Sequence, residues 1–445
     1  MNTQHDHATS AASTATPGLI QSLRGSAFLR NNAIVFIGSI ATGALNYLYY
    51  PILGRLLDPS PFGEVQTLVS LFVQIVIFLS VLGLLTVNIV ANQDNSPQAQ
   101  RTVFELEKLA LAISGVMLLA SVLLAPILQR FFNFESSLPF IILALSVVVS
   151  VPATFRMAYL RGKQLFGLNS IASIIGAAAK LALSALFIVI GWGTTGAILG
   201  LVVAQLISFV YSAVRARQHG FGPSLKQDFW RMPDLKILVP ELRYAGLVLV
   251  GSLAVTAFYS IDIIAVKHWF DGHTAGLYAG IATVARIIFF LTGSVAMALM
   301  PSIKLNSPAH ENRQILLKSL YLLVAIGGAA LLIFAIAPNL VIKLLMGHEY
   351  LPYANLLGRL SLVIFIVSLL NLFITYYMAL RRYAIALIAI IGLAVTCGLV
   401  GIHHDSLRAV VDSMLYGTGV TGIILAAWAG MSMNRNASKL KGNES

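Results

Sequence analysis

The sequence predicts an all-α, polytopic membrane protein of about twelve transmembrane helices, set in two six-helix lobes related by a pseudo-two-fold axis along the membrane normal. Three observations carry that prediction. Of 445 residues, 58% are hydrophobic and only 10% charged, too little polar surface for a soluble globule. Apolar runs of about 20 residues recur along the chain, each long enough to cross a hydrocarbon core about 30 Å thick. Finally, one stretch occurs twice. Gly38–Val65 and Gly251–Tyr278 align without gaps at Gly38/Gly251, Ser39/Ser252, Ala41/Ala254, Ala44/Ala257, Asp58/Asp271 and Gly63/Gly276. Each copy is an apolar run, an Asp-containing elbow with a Gly five residues on, and a second apolar run, as expected of a duplicated membrane unit.

The twelve spans fall at about 32–54, 65–92, 105–128, 138–160, 168–191, 195–215, 241–267, 275–302, 316–337, 353–379, 383–402 and 409–431. In the first elbow, Asp58-Pro59-Ser60-Pro61 puts proline at a helix start, where its missing N–H would be unpaired anyway. The longest connection, Arg217 to Pro240, divides the spans six and six. The expected organisation is a cytoplasmic tail (1–30), an N-lobe (31–216), a cytoplasmic linker (217–240), a C-lobe (241–432) and a second cytoplasmic tail (433–445). The first tail is polar and rich in small residues, without the basic-then-apolar order of a cleaved signal peptide. Its end, with Leu19, Ile20, Leu23, Phe28 and Leu29 beside Arg24 and Arg30, also suits an amphipathic helix on the inner membrane face.

The net charge of +12 raises the question of nucleic acid, but the basic residues lie between apolar runs rather than on one face. With the N-terminus inside, the inner segments hold 21 of the 29 Lys and Arg residues, Lys108 and Arg156 among them. Only Arg55, Arg130, Lys267, Lys343 and Arg408 fall outside. That bias predicts both termini in the cytoplasm. The four tryptophans, Trp192, Trp230, Trp269 and Trp428, fall at or near predicted interfaces.

Three basic residues remain within spans: Lys180, Arg286 and Arg359. A charge at mid-membrane costs at least about 2.5–3.5 kcal/mol on insertion scales, so it normally faces a watery cavity or a partner. Lys180 and Arg286 are expected to line a cavity and contact anionic substrate. Structural pairing is the competing reading, and Asp262 in span seven is the obvious partner for Arg286. Asp262 is also the candidate coupling carboxylate. Arg359 lies nearer the outer end, where snorkelling competes with function. Asn46 and Tyr49 in span one and Tyr259 in span seven suit a cavity wall that accommodates sugar, because tyrosine offers a stacking face and a hydroxyl. Interhelical hydrogen bonding accounts for them equally well, as it does for Asn371, Tyr376 and Tyr377.

Several apparent motifs carry no chemistry. Gly417-Thr-Gly419-Val-Thr-Gly422 has the GxGxxG spacing but no preceding strand, and small residues there favour close helix packing. His403, His404 and Asp405 read as a solvated turn rather than metal ligands. Cys397, the one cysteine, reads as a packing residue. There is no Walker A pattern, so transport would draw on an ion gradient or on removal of product rather than on ATP. Neither a metal nor a cofactor is expected, and no enzyme activity.

The twelve spans in two halves, the elbow Arg55-Leu-Leu-Asp-Pro-Ser-Pro-Phe-Gly-Glu64 and the basic mid-chain linker resemble the polysaccharide transporter branch of the multidrug/oligosaccharidyl-lipid/polysaccharide exporter superfamily, notably the O-antigen flippases. The likeness runs from Asn31 to about Asn434 and is clearest at Leu53–Val65 and at Asp271–Tyr278 with Pro301. It implies two lobes around a central cavity that opens alternately to either side of a bacterial inner membrane. It implies, as substrate, undecaprenyl-pyrophosphate-linked oligosaccharide for lipopolysaccharide, capsule or exopolysaccharide, with membrane lipid and other polysaccharide assembly proteins as partners. The rival readings are a multidrug/cation antiporter of the same superfamily and a membrane-bound polysaccharide polymerase or ligase. Too few buried carboxylates weigh against the first, and short outer loops against the second.

Overall fold

The structure, a computed structural model, describes residues 27–92, 97–222, 235–303, 309–382 and 384–441. All regular structure among them is helical. In lipid every backbone N–H and C=O must be satisfied within its own segment, and apolar runs of this length do so as helices. The first half contributes α1 (Ala27–Leu56), α2 (Pro59–Asn92), α3 (Pro97–Phe131), α4 (Leu138–Gly162), α5 (Phe166–Phe187) and α6 (Gly193–Gln218). The second contributes α7 (Leu235–Trp269), α8 (Gly272–Ala285) and α9 (Ile287–Ser302), which share one pass, then α10 (Ala309–Ile336) and the short α11 (Pro338–Leu345). A 3₁₀ segment (His348–Leu356), α12 (Leu357–Ala379), α13 (Ala384–Ile402) and α14 (Leu407–Lys441) complete it.

Among the described residues, ten segments are long and apolar enough to cross a membrane. One of them, Phe166–Gln218, doubles back between α5 and α6 and counts twice; α1, more polar through Asn46 and its tyrosines, completes the twelve predicted passes. The reversal is made at Gly191 (φ 95°) and Gly193 (φ 50°), left-handed conformations that glycine adopts without steric cost. Large apolar side chains such as Val116, Leu123, Ile336 and Ile423 stand exposed on the outer surface, as a lipid-facing belt requires.

Two helix boundaries differ from the sequence reading. The connection between passes nine and ten is helical, with α11 and the 3₁₀ segment lying against the α1–α2 elbow through Tyr350, whose hydroxyl donates to Gly54 O at 3.2 Å. Helix α14 also continues to Lys441, beyond the predicted span end. The amphipathic segment before residue 27, and residues 223–234 of the linker with Trp230, lie outside the described residues.

The side on which α1 begins is termed the near side and the opposite one the far side. The halves meet along a seam formed by α2 against α7 and α8. At its far end the two elbows of the repeat touch. A Cβ placed on Gly63 would lie 2.8 Å from Gly276 Cα, and one on Gly276 would collide with the Pro59 carbonyl. The matched glycines of the duplicated unit are therefore in contact with each other, which places them beside the pseudo-two-fold axis. Asp271 caps α8, its Oδ1 accepting from Thr274 N at 3.0 Å, and these bonds hold its carboxyl below the usual carboxylate range. Polar pairs continue down the seam: Gln66 donates to Thr283 Oγ1 at 2.9 Å and Gln74 to Ser260 Oγ at 2.7 Å.

Some charges assigned to loops are buried. Arg156 pairs with Glu107 inside the first half, its guanidinium 5.0 Å from the Phe221 ring, and Lys108 lies 3.3 Å from Glu105. Lys267, expected in an outer loop, is 1% exposed. An unpaired charge in such a setting is costly, so these helices carry their counter-charges inward with them.

Candidate functional site

Between the halves lies a cavity of about 780 Å³. Its wall runs along α1 from Val35 to Tyr50, and along α5 from Asn169 to Lys180. Gln205 and Ser208 of α6, Val255 to Tyr259 of α7, and Phe289 to Gly293 of α9 line it as well. On α1 and α5, which both start on the near side, the lining begins close to that end, at Val35 and Asn169, and stops short of the far ends, at Tyr50 and Lys180. Beyond them the seam is closed. The cavity thus belongs to the near side.

Lys180 is the only charged residue in this wall, and no carboxylate, histidine or cysteine accompanies it among the described residues. Its Nζ donates to Asn46 Oδ1 at 2.6 Å and stands 4.4 Å from the centre of the Tyr49 ring. No acid pairs with it among the described residues. An ammonium has three donors, and this one spends a single hydrogen bond on protein. The sequence candidates Lys180, Asn46 and Tyr49 are therefore one cluster, with a cation–π contact on one side and open space on another. Two further polar atoms of the wall, Thr42 Oγ1 and Asn169 Oδ1, are buried without a hydrogen-bond partner among the described residues. Buried polar groups are normally satisfied, so such a wall is completed by water or ligand.

Arg286 is placed differently. It is 4% exposed at the junction of α8 and α9, where Nη2 donates to Asp262 Oδ1 at 2.6 Å and Nε to Tyr259 O at 3.0 Å. Asp262, 1% exposed, also accepts from the Tyr278 hydroxyl at 3.0 Å. Arg286 borders a separate seam cavity of about 20 Å³, shared with Tyr50, Gln66, Tyr259 and Thr283, and not the large one. That volume suits about one water molecule. The charge of Arg286 is met within the protein by the partner that the competing reading names. Tyr259 stands between the two cavities, its ring 4.8 Å from the guanidinium.

Arg359 is brought to neither cavity. It is 41% exposed in its side chain and directs Nη1 to both oxygens of Asp412, at 2.9 and 3.1 Å, near the far end of α12. Tyr377 makes an interhelical bond, its hydroxyl donating to Ala429 O at 3.2 Å. The GxGxxG stretch packs as expected of small residues: Gly417 abuts Thr396, and Gly392 abuts Thr421, locking α13 to α14. His403, His404 and Asp405 stand in the exposed turn expected of them, where His404 stacks on Trp269 at 4.4 Å. The sequence reading passed over Asn169 and Gln205, although the signal that marked Asn46, an amide in an apolar helix, applies to Gln205 as well.

The family model for polysaccharide biosynthesis proteins matches residues 28–305. The chain belongs to the polysaccharide biosynthesis protein family. Comparison with curated sequences gives no significant match. Among solved structures, the lipid II flippase MurJ in its inward closed conformation is similar to this family member with a TM-score of 0.70 at 11% identity, covering 89% of this chain and 87% of that one. An inward-facing multidrug resistance MATE family transporter of the MOP superfamily follows with a TM-score of 0.66 at 14% identity, covering 91% and 96%. A MOP superfamily transporter from Pyrococcus furiosus, described as having a binding pocket of reverse polarity, gives 0.56 at 15%, covering 93% and 98%. These likenesses establish the shared fold. With the candidate spans they make this chain a multi-pass membrane protein of that fold.

Proposed function

We propose that this protein is a flippase that moves undecaprenyl-pyrophosphate-linked oligosaccharide, an O-antigen, capsule or exopolysaccharide repeat unit, across the bacterial inner membrane by alternating access. The observation that carries the reading is the polarity of the large cavity: one cation and no acid among the described lining residues, with unsatisfied hydroxyl and amide oxygens elsewhere in the same wall. Lys180 would offset the diphosphate charge, while Asn46, Tyr49, Thr42 and Asn169 would meet sugar hydroxyls. The neutralised Arg286–Asp262 pair would then serve the seam. Residues 31–216 and 241–432 would be the two moving lobes, and the Lys/Arg bias puts the near side and both termini in the cytoplasm. The structure would then represent the inward-facing state.

The proteins of similar fold include a multidrug transporter and a lipid II flippase, which supports transport over catalysis. A cationic drug would meet Lys180 with nothing to neutralise it, which disfavours an antiporter of cations. A polymerase or ligase would have no carboxylate or histidine pair in this wall for acid–base work.

Binding separates these readings. Undecaprenyl pyrophosphate is expected to raise the melting temperature of the purified protein, equivalent to about 2.7 kcal/mol at a hundredfold excess over Kd. Neutral undecaprenol and cationic dyes should leave it unchanged. Stabilisation by the dye, with none by the pyrophosphate, would favour the antiporter instead.

A further inference from the structure

At the far end of the seam, Lys267 of α7 is buried to 1% exposure, and its Nζ has no hydrogen-bond partner among the described residues. The ammonium lies 5.1 Å from the centre of the Phe134 ring, in the corner between α3 and α4 of the opposite half. Its neighbour His268 enters the same corner, stacked on Phe131 at 3.9 Å with Nδ1 2.7 Å from Phe131 O. The end of α7 is thus inserted into the first half. Three carboxylates flank this corner: Glu64 of α2, bonded to Glu135 N next to Phe134; Glu135 itself; and Asp271 of the α7–α8 turn, next to Gly272, where a Cβ would lie 3.6 Å from Lys267 Nζ. Glu135 and Asp271 are exposed and screened by water, whereas Glu64 is 5% exposed. Its two oxygens accept from Thr194 Oγ1 at 2.8 Å and from Glu135 N at 3.2 Å, which fixes the carboxylate in the first half, facing the corner that Lys267 enters.

A buried ammonium without a hydrogen bond is tolerated only where an opposite charge offsets its lost hydration. Here that charge stands across the seam, so the compensation exists only while the far side is shut. When the lobes part, both groups regain water. We propose that Lys267 and Glu64 form a charge latch across the seam that holds the far side closed and separates when it opens. The proposal rests on the alternating-access reading above, and adds which charges set the balance between its two states.

The test uses the full chain in lipid nanodiscs, in a Cys397→Ser background, with spin labels on Arg130→Cys and Lys343→Cys at the far ends of the two halves. Wild type should show mainly the short distance. Glu64→Gln or Lys267→Met alone should raise the long-distance population about tenfold, because each leaves one buried charge uncompensated. The double variant should return close to wild type, since neither charge remains; Glu64→Asp, which keeps the charge, should stay short. Unchanged distances in both single variants, or purely additive effects in the double, would overturn the latch. So would equal opening by Glu64→Asp and Glu64→Gln, which would mark packing and not charge. If one single variant fails to fold, the other with Glu64→Asp decides the same point. A wild-type distance that never changes, even with undecaprenyl pyrophosphate added, would refute alternating access itself. Exchange in wild type that the variants leave untouched would refute the latch alone.

Discussion

Lys180→Ala is expected to lower translocation of a lipid-linked pyrophosphate sugar by about 10- to 100-fold, the equivalent of one charge-assisted hydrogen bond. Its abundance in the membrane should stay at the wild-type level. The two halves of that expectation come from one geometry. Lys180 has no carboxylate partner among the described residues, so its removal orphans no acid; only Asn46 Oδ1 loses a donor, at the edge of a cavity where water replaces it. Lys180→Arg keeps the charge but carries a larger planar head against Tyr49, and should retain part of the transport. The check is quantitative immunoblotting of membranes beside a translocation assay. Loss of protein in step with loss of transport would assign Lys180 to folding.

Arg286→Ala should behave in the opposite way, with its main effect on folding. It strips a buried carboxylate, Asp262, of its counter-charge, and breaking such a pair costs about 3–5 kcal/mol. Net stability of a folded domain is about 5–15 kcal/mol, so membrane abundance should fall several-fold. Adding Asp262→Ala should restore much of the abundance, because the orphaned acid is gone. Measuring abundance and transport for both single variants and the double separates the roles. Full abundance with abolished transport in Arg286→Ala would return Arg286 to the substrate site and weaken Asp262 as its structural partner. Transport by Asp262→Asn that is unchanged under every imposed ion gradient would dispose of the coupling role.

Much of the architecture was legible because membrane spans are written in continuous apolar runs. The corner at Gly191–Gly193 and the elbows at Asp58 and Asp271 were visible as interruptions in those runs. The Gly63/Gly276 match was visible too, but only as an alignment; that the two glycines touch is a consequence of symmetry, which a linear chain does not display. Lys180 and Arg286 show where the reading stopped. Both lie deep in apolar spans, and depth alone made them equivalent. The difference is set by helix rotation and by which neighbour faces them, Asn46 across from one and Asp262 across from the other. Arg359 stood out as a charge within a span, near its outer end, while its partner Asp412, some fifty residues away, went unremarked. Lys267 was lost for a related reason. A lysine at the end of an apolar run looks solvated unless the corner that covers it, Phe131 to Glu135, is known to come from the other half.

A lipid-linked sugar is expected to cross the bilayer unchanged, guided by a cationic cavity. Purified protein reconstituted into liposomes, with a fluorescent undecaprenyl-pyrophosphate-linked oligosaccharide in both leaflets, tests it most directly. An impermeant quencher reads the fraction of sugar exposed outside. Wild type should bring nearly all the fluorescence within reach of the quencher, with no new glycosidic bond formed, and Lys180→Ala should do so about 10- to 100-fold more slowly. A protected half in wild-type liposomes, or sugar that becomes polymerised or transferred, would contradict the account.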